Sequence, residues 1–456
     1  MVRTASSGLR GRWLVTGVAA ALALSACGGG GDEEPSGGGT PDEVSQADID
    51  KAMQTPTELT FWTWVPNIED EVALFEKEYP EIDVKVVNAG QGEPQYQKLR
   101  TALEAGEGAP DVVQIEFQYI PTFTITESLL DLRPYVPDDF GDKFVDWTWQ
   151  QVSGSDDEVW AVPQDSGPMG MLYREDIFAE HGIEPPTTWD EFAEAARTLH
   201  EADPNAYITN LAPNQNGAWM GLLWQAGAEP FGSSGPEQVS INVNDEASQK
   251  VAEYWSGLNE EGLIATDPDF TDSWNQGLNT GRYATWLTAA WGPVFMQTAA
   301  PDTSGKWRAA PLPQWEAGDE VAGNWGGSTS AVVSISENQI AAAKFAEFIN
   351  TDPESARMLA LEQFLFPVAK DVLEDPDFLA AQPEFYGGQQ VNATFADISS
   401  TVDPEFTWPP FLDQAVSDWD ETVGKSFADK TDTVKALDEW QSRLVEYAEG
   451  QGFTVE

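Results

Sequence analysis

Cysteine is all but missing from this chain, with one in 456 residues, and histidine occurs only twice. That scarcity excludes a disulfide scaffold and any thiolate or multi-histidine metal site. Positive charge is also scarce: 23 Lys and Arg stand against 77 Asp and Glu, a formal charge of −54. A fold so acidic is repelled by nucleic acid and by anionic membrane surfaces, which argues against either as a direct binding partner. The glycine-rich phosphate loop, the dinucleotide fingerprint and the Gly-x-Ser-x-Gly elbow are absent too. His181 and His200 stand alone on or near helices, where a surface or boundary role fits them. Asp267, Asp269 and Asp272 lack the glycine and the distal glutamate of a calcium loop and read as capping and solvated charge.

What is present is a foldable chain with 41% hydrophobic residues, so the acid load is a surface property and not a mark of disorder. It fits a high-salt habitat, where screening shortens the reach of self-repulsion. Stability should then fall sharply at low ionic strength, and indifference to salt in a thermal melt would refute that reading.

The first residues set the compartment. Arg3, Arg10 and Arg12 precede an apolar run, Trp13 to Leu24, too short to span a bilayer comfortably. Residues 1–26 read as a signal peptide. The lone cysteine, Cys27, follows Leu24-Ser25-Ala26, the pattern of a bacterial lipoprotein processing site. Cleavage there would remove three arginines and no acid, leaving 20 basic against 77 acidic residues and a formal −57. Residues 27–57, opening with Gly28 to Gly31 and Asp32-Glu33-Glu34, read as a lipidated foot and a flexible Gly/acidic linker with little to bury. Some 30 residues of such chain span about 30 Å.

From Glu58 the pattern is regular. Leu59 to Trp62 is a strand, Ile68, Val72, Phe75 and Tyr79 recur at helical spacing, and Asp83 to Val87 is a second strand. Pro94 to Ala105 reads as a helix and Asp111 to Ile115 as a third strand. Alternation at these lengths describes parallel βαβ units, whose ligands lie beyond the carboxyl ends of the strands. Those ends are Trp62 to Asn67, Asn88 to Gln91 and Glu116 to Tyr119. Later, Thr188-Trp189-Asp190-Glu191 has capping-box spacing ahead of an apolar stripe, and 434–448 is an amphipathic helix. The body, roughly 400 residues of α/β pattern, is too large for one comfortable core.

Tryptophan is plentiful, with 19 in the chain. Trp189, Trp255, Trp419 and Trp440 lie on helical stripes suited to core packing, whereas Trp64, Trp219, Trp224, Trp291, Trp325 and Trp408 lie in turn-rich or helix-end contexts. An indole face packs on the C–H face of a pyranose, and carboxylates and amides take the rim hydroxyls. A glycoside hydrolase stays open as an alternative, because it needs only two carboxylates about 5–10 Å apart.

The order of elements resembles the extracellular solute-binding proteins of ABC importers, specifically the carbohydrate-binding, maltose-binding-protein-like group (family 1). The resemblance is carried by Leu59-Thr60-Phe61-Trp62 with Phe75-Glu76-Lys77-Glu78-Tyr79-Pro80, and by Pro110-Asp111-Val112-Val113-Gln114. Its most specific stretch is Trp160-Ala161-Val162-Pro163, then Leu172 to Phe178, Gly182-Ile183 and Pro185 to Phe192. Gly281-Arg282-Tyr283-Ala284 with Trp291-Gly292-Pro293, and Ala342 to Ile349, complete it. Arg174 stands where the family commonly has Asn, and Glu116-Phe117-Gln118 replaces a segment often richer in tryptophan.

The resemblance implies an α/β, two-lobed periplasmic-binding-protein-like fold with a hinge and an interlobe ligand cleft. It places lobe 1 at 58–163 with 316–365, lobe 2 at 168–308 with 366–456, and hinge crossovers at 164–167 and 309–315. The cleft would collect Trp64, Asn67, Glu116, Gln118 and Asp165, with Trp219, Trp224, Trp291, Trp325 and Trp408 from the far side. It implies no catalysis, no cofactor and no metal. The ligand would be a mono- or oligosaccharide and the partners ABC permease subunits, with a monomer held to the outer face of the cell membrane through Cys27. A polyamine receptor is the alternative within the binding class, and Glu116 and Asp165 are few carboxylates for a cationic ligand.

Overall fold

In the computed structural model the described residues are 43–456, apart from 156 and 236. The signal peptide, Cys27 and the glycine-rich start of the linker lie outside the described residues. The strands are β1 (Thr57–Trp62), β2 (Ile82–Val87), β3 (Val112–Glu116), β4 (Val162–Pro163), β5 (Met169–Arg174), β6 (Phe231–Gly235), β7 (Gln238–Ile241), β8 (Thr285–Ala289), β9 (Trp307–Pro311), β10 (Ser328–Val332) and β11 (Thr454–Val455). The helices that position the site are α1 (Gln46–Met53), α2 (Glu69–Glu78), α3 (Glu93–Ala105), α4 (Trp189–Ala202), α5 (Asn216–Gln225), α6 (Glu246–Glu260), α7 (Gly292–Ala299), α8 (Gln339–Thr351), α9 (Pro353–Leu361), α10 (Val391–Ser399), α11 (Leu412–Trp419) and α12 (Thr433–Gln451).

The first lobe is built on a five-stranded sheet of order β2-β1-β3-β10-β4. β1 pairs in parallel with β2 and β3, and β10 runs antiparallel between β3 and β4. The alternation of β1 turns Leu59 and Phe61 inward, and the helical period of α2 turns Val72 and Phe75 to meet them. Phe345 of α8 closes the cluster edge-on, with ring centroids 5.2 Å from Phe61 and 5.1 Å from Phe75. β3, central in the sheet, reads as an apolar run because both faces are covered.

The second lobe carries two three-stranded sheets, β8-β5-β9 and β11-β7-β6. Thr188 caps α4 through a reciprocal box, its hydroxyl accepting from the Glu191 N–H and the Glu191 carboxylate accepting from the Thr188 N–H. α12 buries Leu437, Trp440 and Leu444, with Tyr447 half-buried, against α11, α6 and β7. α10 lies across β5 and β9.

Three expectations about boundaries are corrected. The ordered body begins before Glu58. Ser45 caps α1 by accepting from the Asp48 N–H, Met53 is buried, and α1 packs on α8. Ile49 and Met53, one helical turn apart in an otherwise polar stretch, supply the apolar contact that ties this segment down.

The second crossover also falls later than 309–315. β9 continues to Pro311 inside the second lobe. The chain after it stays there: the Trp189 N–H donates to Gln314 O at 3.0 Å, and the Ala322 N–H to Thr401 O at 3.1 Å. The passage to the first sheet is made at 325–328. Conversely, the chain just past 366 remains with the first lobe, where the Val145 N–H donates to Val368 O at 2.9 Å.

Three chain segments meet at the hinge. The Met169 N–H donates to Gly323 O and the Trp325 N–H to Gly167 O, each at 2.8 Å, while the Ser166 N–H donates to Phe366 O at 3.1 Å. Gly167 is obligatory there, since a Cβ would stand 2.0 Å from the Trp325 carbonyl oxygen. Core packing is continuous from β3 of the first sheet to β5 and β9 of the second.

Candidate functional site

The carboxyl end of β1 leads into Trp64, whose backbone N–H donates to Gln114 Oε1 at 3.0 Å. Gln114 Oε1 also accepts from the Thr63 hydroxyl at 2.7 Å, so β3 holds the β1 loop in place. Trp64 is half-buried, and its ring meets Tyr96 of α3 edge-on at 6.3 Å. Tyr119, following β3, also packs on Tyr96, with ring centroids 4.2 Å apart. The Tyr96 hydroxyl donates to Glu116 Oε2 at 3.1 Å. Burial pushes the Glu116 carboxyl up from its ordinary value, opposed by hydrogen bonds from Tyr96 and Gln118. Trp64, Glu116 and Gln118 therefore share one wall with two tyrosines. Asn67 is exposed at the edge of that wall, its amide 3.4 Å from Gln363 Oε1.

Asp165 lies at the hinge, 9% exposed. Its Oδ1 accepts from the Ser328 N–H at 2.7 Å, and burial raises its carboxyl to about 7, with the nearby Glu116 charge adding to the rise.

On the second lobe Trp291 and Trp325 are half-buried and meet edge-to-face at 4.8 Å, with Trp291 Nε1–H donating to Trp325 O at 3.0 Å. Trp325 lies over Gly217 at the start of α5, where a Cβ would collide with its ring.

One short segment brings these parts together. Trp325 contributes an indole. Gly326 and Gly327 follow at φ 83° and 100°, the left-handed region that glycine enters without strain. Gly327 O then accepts from the Phe117 N–H at 3.1 Å, and Ser328 pairs with Glu116 in the sheet while binding Asp165. Two indoles and two carboxylates thus adjoin the 325–328 segment.

Three of the expected tryptophans are elsewhere. Trp219 and Trp224 are 1% exposed, and Trp408 is 9% exposed. Trp219 packs on Phe427 at 5.5 Å. Trp224 is stacked on Phe406 at 4.3 Å and donates Nε1–H to Asp403 O at 2.8 Å. Trp408 packs on Phe406 at 5.1 Å and donates to Gln151 Oε1 at 2.9 Å. Their faces are covered by protein, which corrects the assignment of these three to the cleft. α5 is apolar nearly all round and buried nearly throughout, so glycine and asparagine neighbours in sequence say nothing about its exposure.

Sequence reasoning missed Tyr96, Gln114 and Ser328, and reached Tyr119 only as the last residue of the Glu116 to Tyr119 strand end. Tyr96 has the spacing of a core residue on α3 and is one, fully buried, yet its hydroxyl reaches the site. No local signal distinguishes it. Arg100 of α3 pairs with Asp413 of α11 across the lobes, with Glu93 Oε1 at 3.5 Å from the same guanidinium. A groove of about 400 Å³ opens beside that bridge and touches none of the expected site residues. Among the described residues no cluster of His, Cys, Asp or Glu is arranged to hold a metal, and no helix is long and apolar enough to cross a membrane.

Comparison with known proteins gives the family. The model of the bacterial extracellular solute-binding protein matches residues 62–356. An arabinooligosaccharide-binding protein of Halalkalibacterium halodurans is 26% identical over 356 residues, covering 76% of this chain and 79% of its own. A lactose-binding protein of Rhizobium radiobacter is 26% identical over 365 residues, covering 75% and 81%. Among solved structures, an ABC-transporter-associated binding protein of B. animalis subsp. lactis in complex with β-1,6-galactobiose is 30% identical with a TM-score of 0.75, covering 88% of this chain and 99% of its own. The galacto-N-biose/lacto-N-biose I-binding protein of Bifidobacterium longum, in complex with lacto-N-biose, is 25% identical with a TM-score of 0.76, covering 88% and 98%. The two-lobed architecture is shared with these sugar-binding structures, and the chain belongs to the bacterial extracellular solute-binding protein family.

Proposed function

We propose that this protein is the substrate-binding lipoprotein of an ABC importer, capturing an extracellular mono- or oligosaccharide between its lobes and delivering it to a membrane permease. The observation that carries the reading is the 325–328 segment, against which two tryptophans and the carboxylates Glu116 and Asp165 lie at the hinge. Its relatives are named for arabinooligosaccharide and lactose, and two similar structures hold β-1,6-galactobiose and lacto-N-biose. Trp64, Trp291 and Trp325 stack on ring faces, while Glu116, Gln118 and Asp165 bind rim hydroxyls, with Asn67 at the edge. Exclusion of water between the lobes strengthens those bonds. Ligand favours the closed state by its differential affinity for that state.

In this reading Cys27 carries the lipid, the folded body stands outside the cell membrane as a monomer, and ATP hydrolysis belongs to other subunits. The acceptor-rich site suits a polyol better than a cation, because burial pushes the Asp165 carboxyl up to about 7 and one of its oxygens is taken by Ser328. That occupied oxygen also makes Glu116 and Asp165 a poor hydrolytic pair.

Calorimetry with a saccharide panel, run beside a product assay, tests the proposal. Tight binding without bond cleavage supports it; cleavage of the bound saccharide overturns it. Mass spectrometry of the membrane-extracted protein tests the lipid on Cys27, and an unmodified N-terminal peptide would refute that part.

A further inference from the structure

The described residues contain few non-glycine positions at positive φ, and two of them are phenylalanines: Phe270 at 61° and Phe364 at 60°. For a bulky side chain this region is a genuine outlier, because Cβ crowds the following carbonyl. Phe364 is also 56% exposed, more than any other large apolar residue described. Burial therefore does not offset its strain.

The backbone around it is tightly determined. At the end of α9 the Glu362 and Gln363 N–H groups both donate to Met358 O, and the Leu365 N–H donates to Leu359 O at 3.0 Å. Phe364 stands two residues past the Glu362 cap of α9, in the left-handed region that glycine enters without strain. Next in line, Phe366 O accepts from the Ser166 N–H and Pro367 pairs with Asp165. On the other side Gln363 Oε1 takes the Asn67 amide. Phe364 is thus suspended between the loop that follows β1 and the hinge carboxylate, beyond the carboxyl ends of the parallel strands, where ligands of open α/β sheets bind.

Strain kept on an exposed ring beside a candidate site points to function more than to stability. Resting on the saccharide-binding reading, we propose that Phe364 is a ligand-positioning residue of the first lobe, presenting an aromatic face to a sugar ring opposite the Trp291–Trp325 pair. The ring orients the ligand and sets which sugar faces are accepted; it takes no part in the polar bonds made by Glu116, Gln118 and Asp165.

A helix cap and a ligand contact respond oppositely to glycine. Phe364→Gly removes both ring and strain, and Phe364→Tyr keeps the ring. Each is compared with the parent in thermal melts and in calorimetry with β-1,6-galactobiose, lactose and arabinooligosaccharides. The expected result is a higher melting midpoint for Phe364→Gly together with affinity weakened about 3- to 10-fold, the scale of one aromatic contact, and near-parent affinity for Phe364→Tyr. Unchanged affinity in Phe364→Gly would overturn the proposal and leave a helix terminator. So would a parallel loss of stability and affinity, which marks a packing role. If the parent itself binds none of these saccharides, the functional reading falls and this inference with it.

Discussion

Arg100 is the side chain whose removal tests closure most directly. It sits on α3 of the first lobe and reaches Asp413 on α11 of the second, with Glu93 beside it. The side chains are 29% and 41% exposed for Arg100 and Asp413. A pair this wet contributes about 0.5–1 kcal/mol, a factor of roughly 2–5 in the ratio of closed to open molecules. Substitution also leaves Glu93 and Asp413 facing each other without a cation. Burial and then Asp413 already raise the Glu93 carboxyl above its ordinary value, so Glu93 holds a proton more readily when the lobes meet. The repulsion should therefore be larger at pH 8 than at pH 5. Arg100→Met keeps an unbranched stem over Phe123, which the guanidinium now covers at 5.5 Å, and Arg100→Lys restores the charge. Small-angle scattering of the unliganded protein should show a more open form for Arg100→Met in 0.05 M salt at pH 8, with ligand affinity lowered by up to about fivefold. The difference should vanish in 1 M salt, where the screening length is about 3 Å. Equal scattering and equal affinity for parent and Arg100→Met at low salt and high pH would refute the reasoning.

Trp291→Ala should weaken saccharide binding by more than about 1 kcal/mol with modest effect on folding, whereas Trp224→Ala should cost about 3–5 kcal/mol of stability; calorimetry and denaturant titration separate them, and unchanged affinity removes Trp291 from the site. Burial pushes the Asp269 carboxyl up to about 7, while its Oδ1 accepts from the Asn210 amide. A folded value above the unfolded one means stability is full below pH 4 and is lost as pH rises to 7, by at most about 4 kcal/mol. Asp269→Asn keeps the acceptor and should flatten that slope in melts from pH 4 to 8; an unaltered slope refutes the assignment. Gly167→Ala drives a methyl into the Trp325 carbonyl and should cost several kcal/mol or prevent folding, and a variant with parental stability would contradict the close approach.

The β1-α2-β2-α3-β3 run was legible because strand and helix periods differ and because Gly106, Gly108 and Pro110 punctuate it. Trp64, Glu116 and Gln118 followed from the same logic, since strand ends locate the site without knowledge of the partners. α5 was opaque: a helix apolar nearly all round has no face to read, so Trp219 and Trp224 could not be told from exposed rings. The start of the body was hidden for the opposite reason, since Ile49 and Met53 are only two apolar anchors beside a glycine-rich stretch. Partners far apart in sequence, such as Tyr96 with Glu116 or Asp165 with Ser328, leave no local trace. Nor does a backbone angle, and Phe364 stands out only once its φ is known.

The stitched crossings at Gly167, Trp325 and Phe366 have a consequence for capture. Two slack connectors would let the halves bend, twist and slide. Here twisting or sliding would tear the main-chain bonds between crossings, and a swing about their common line would not. An opening of the two halves would then run along a single coordinate, like a book held at its spine. An arriving guest meets facing pages that need no realignment, and the search that precedes closure is shortened to the width of the gap.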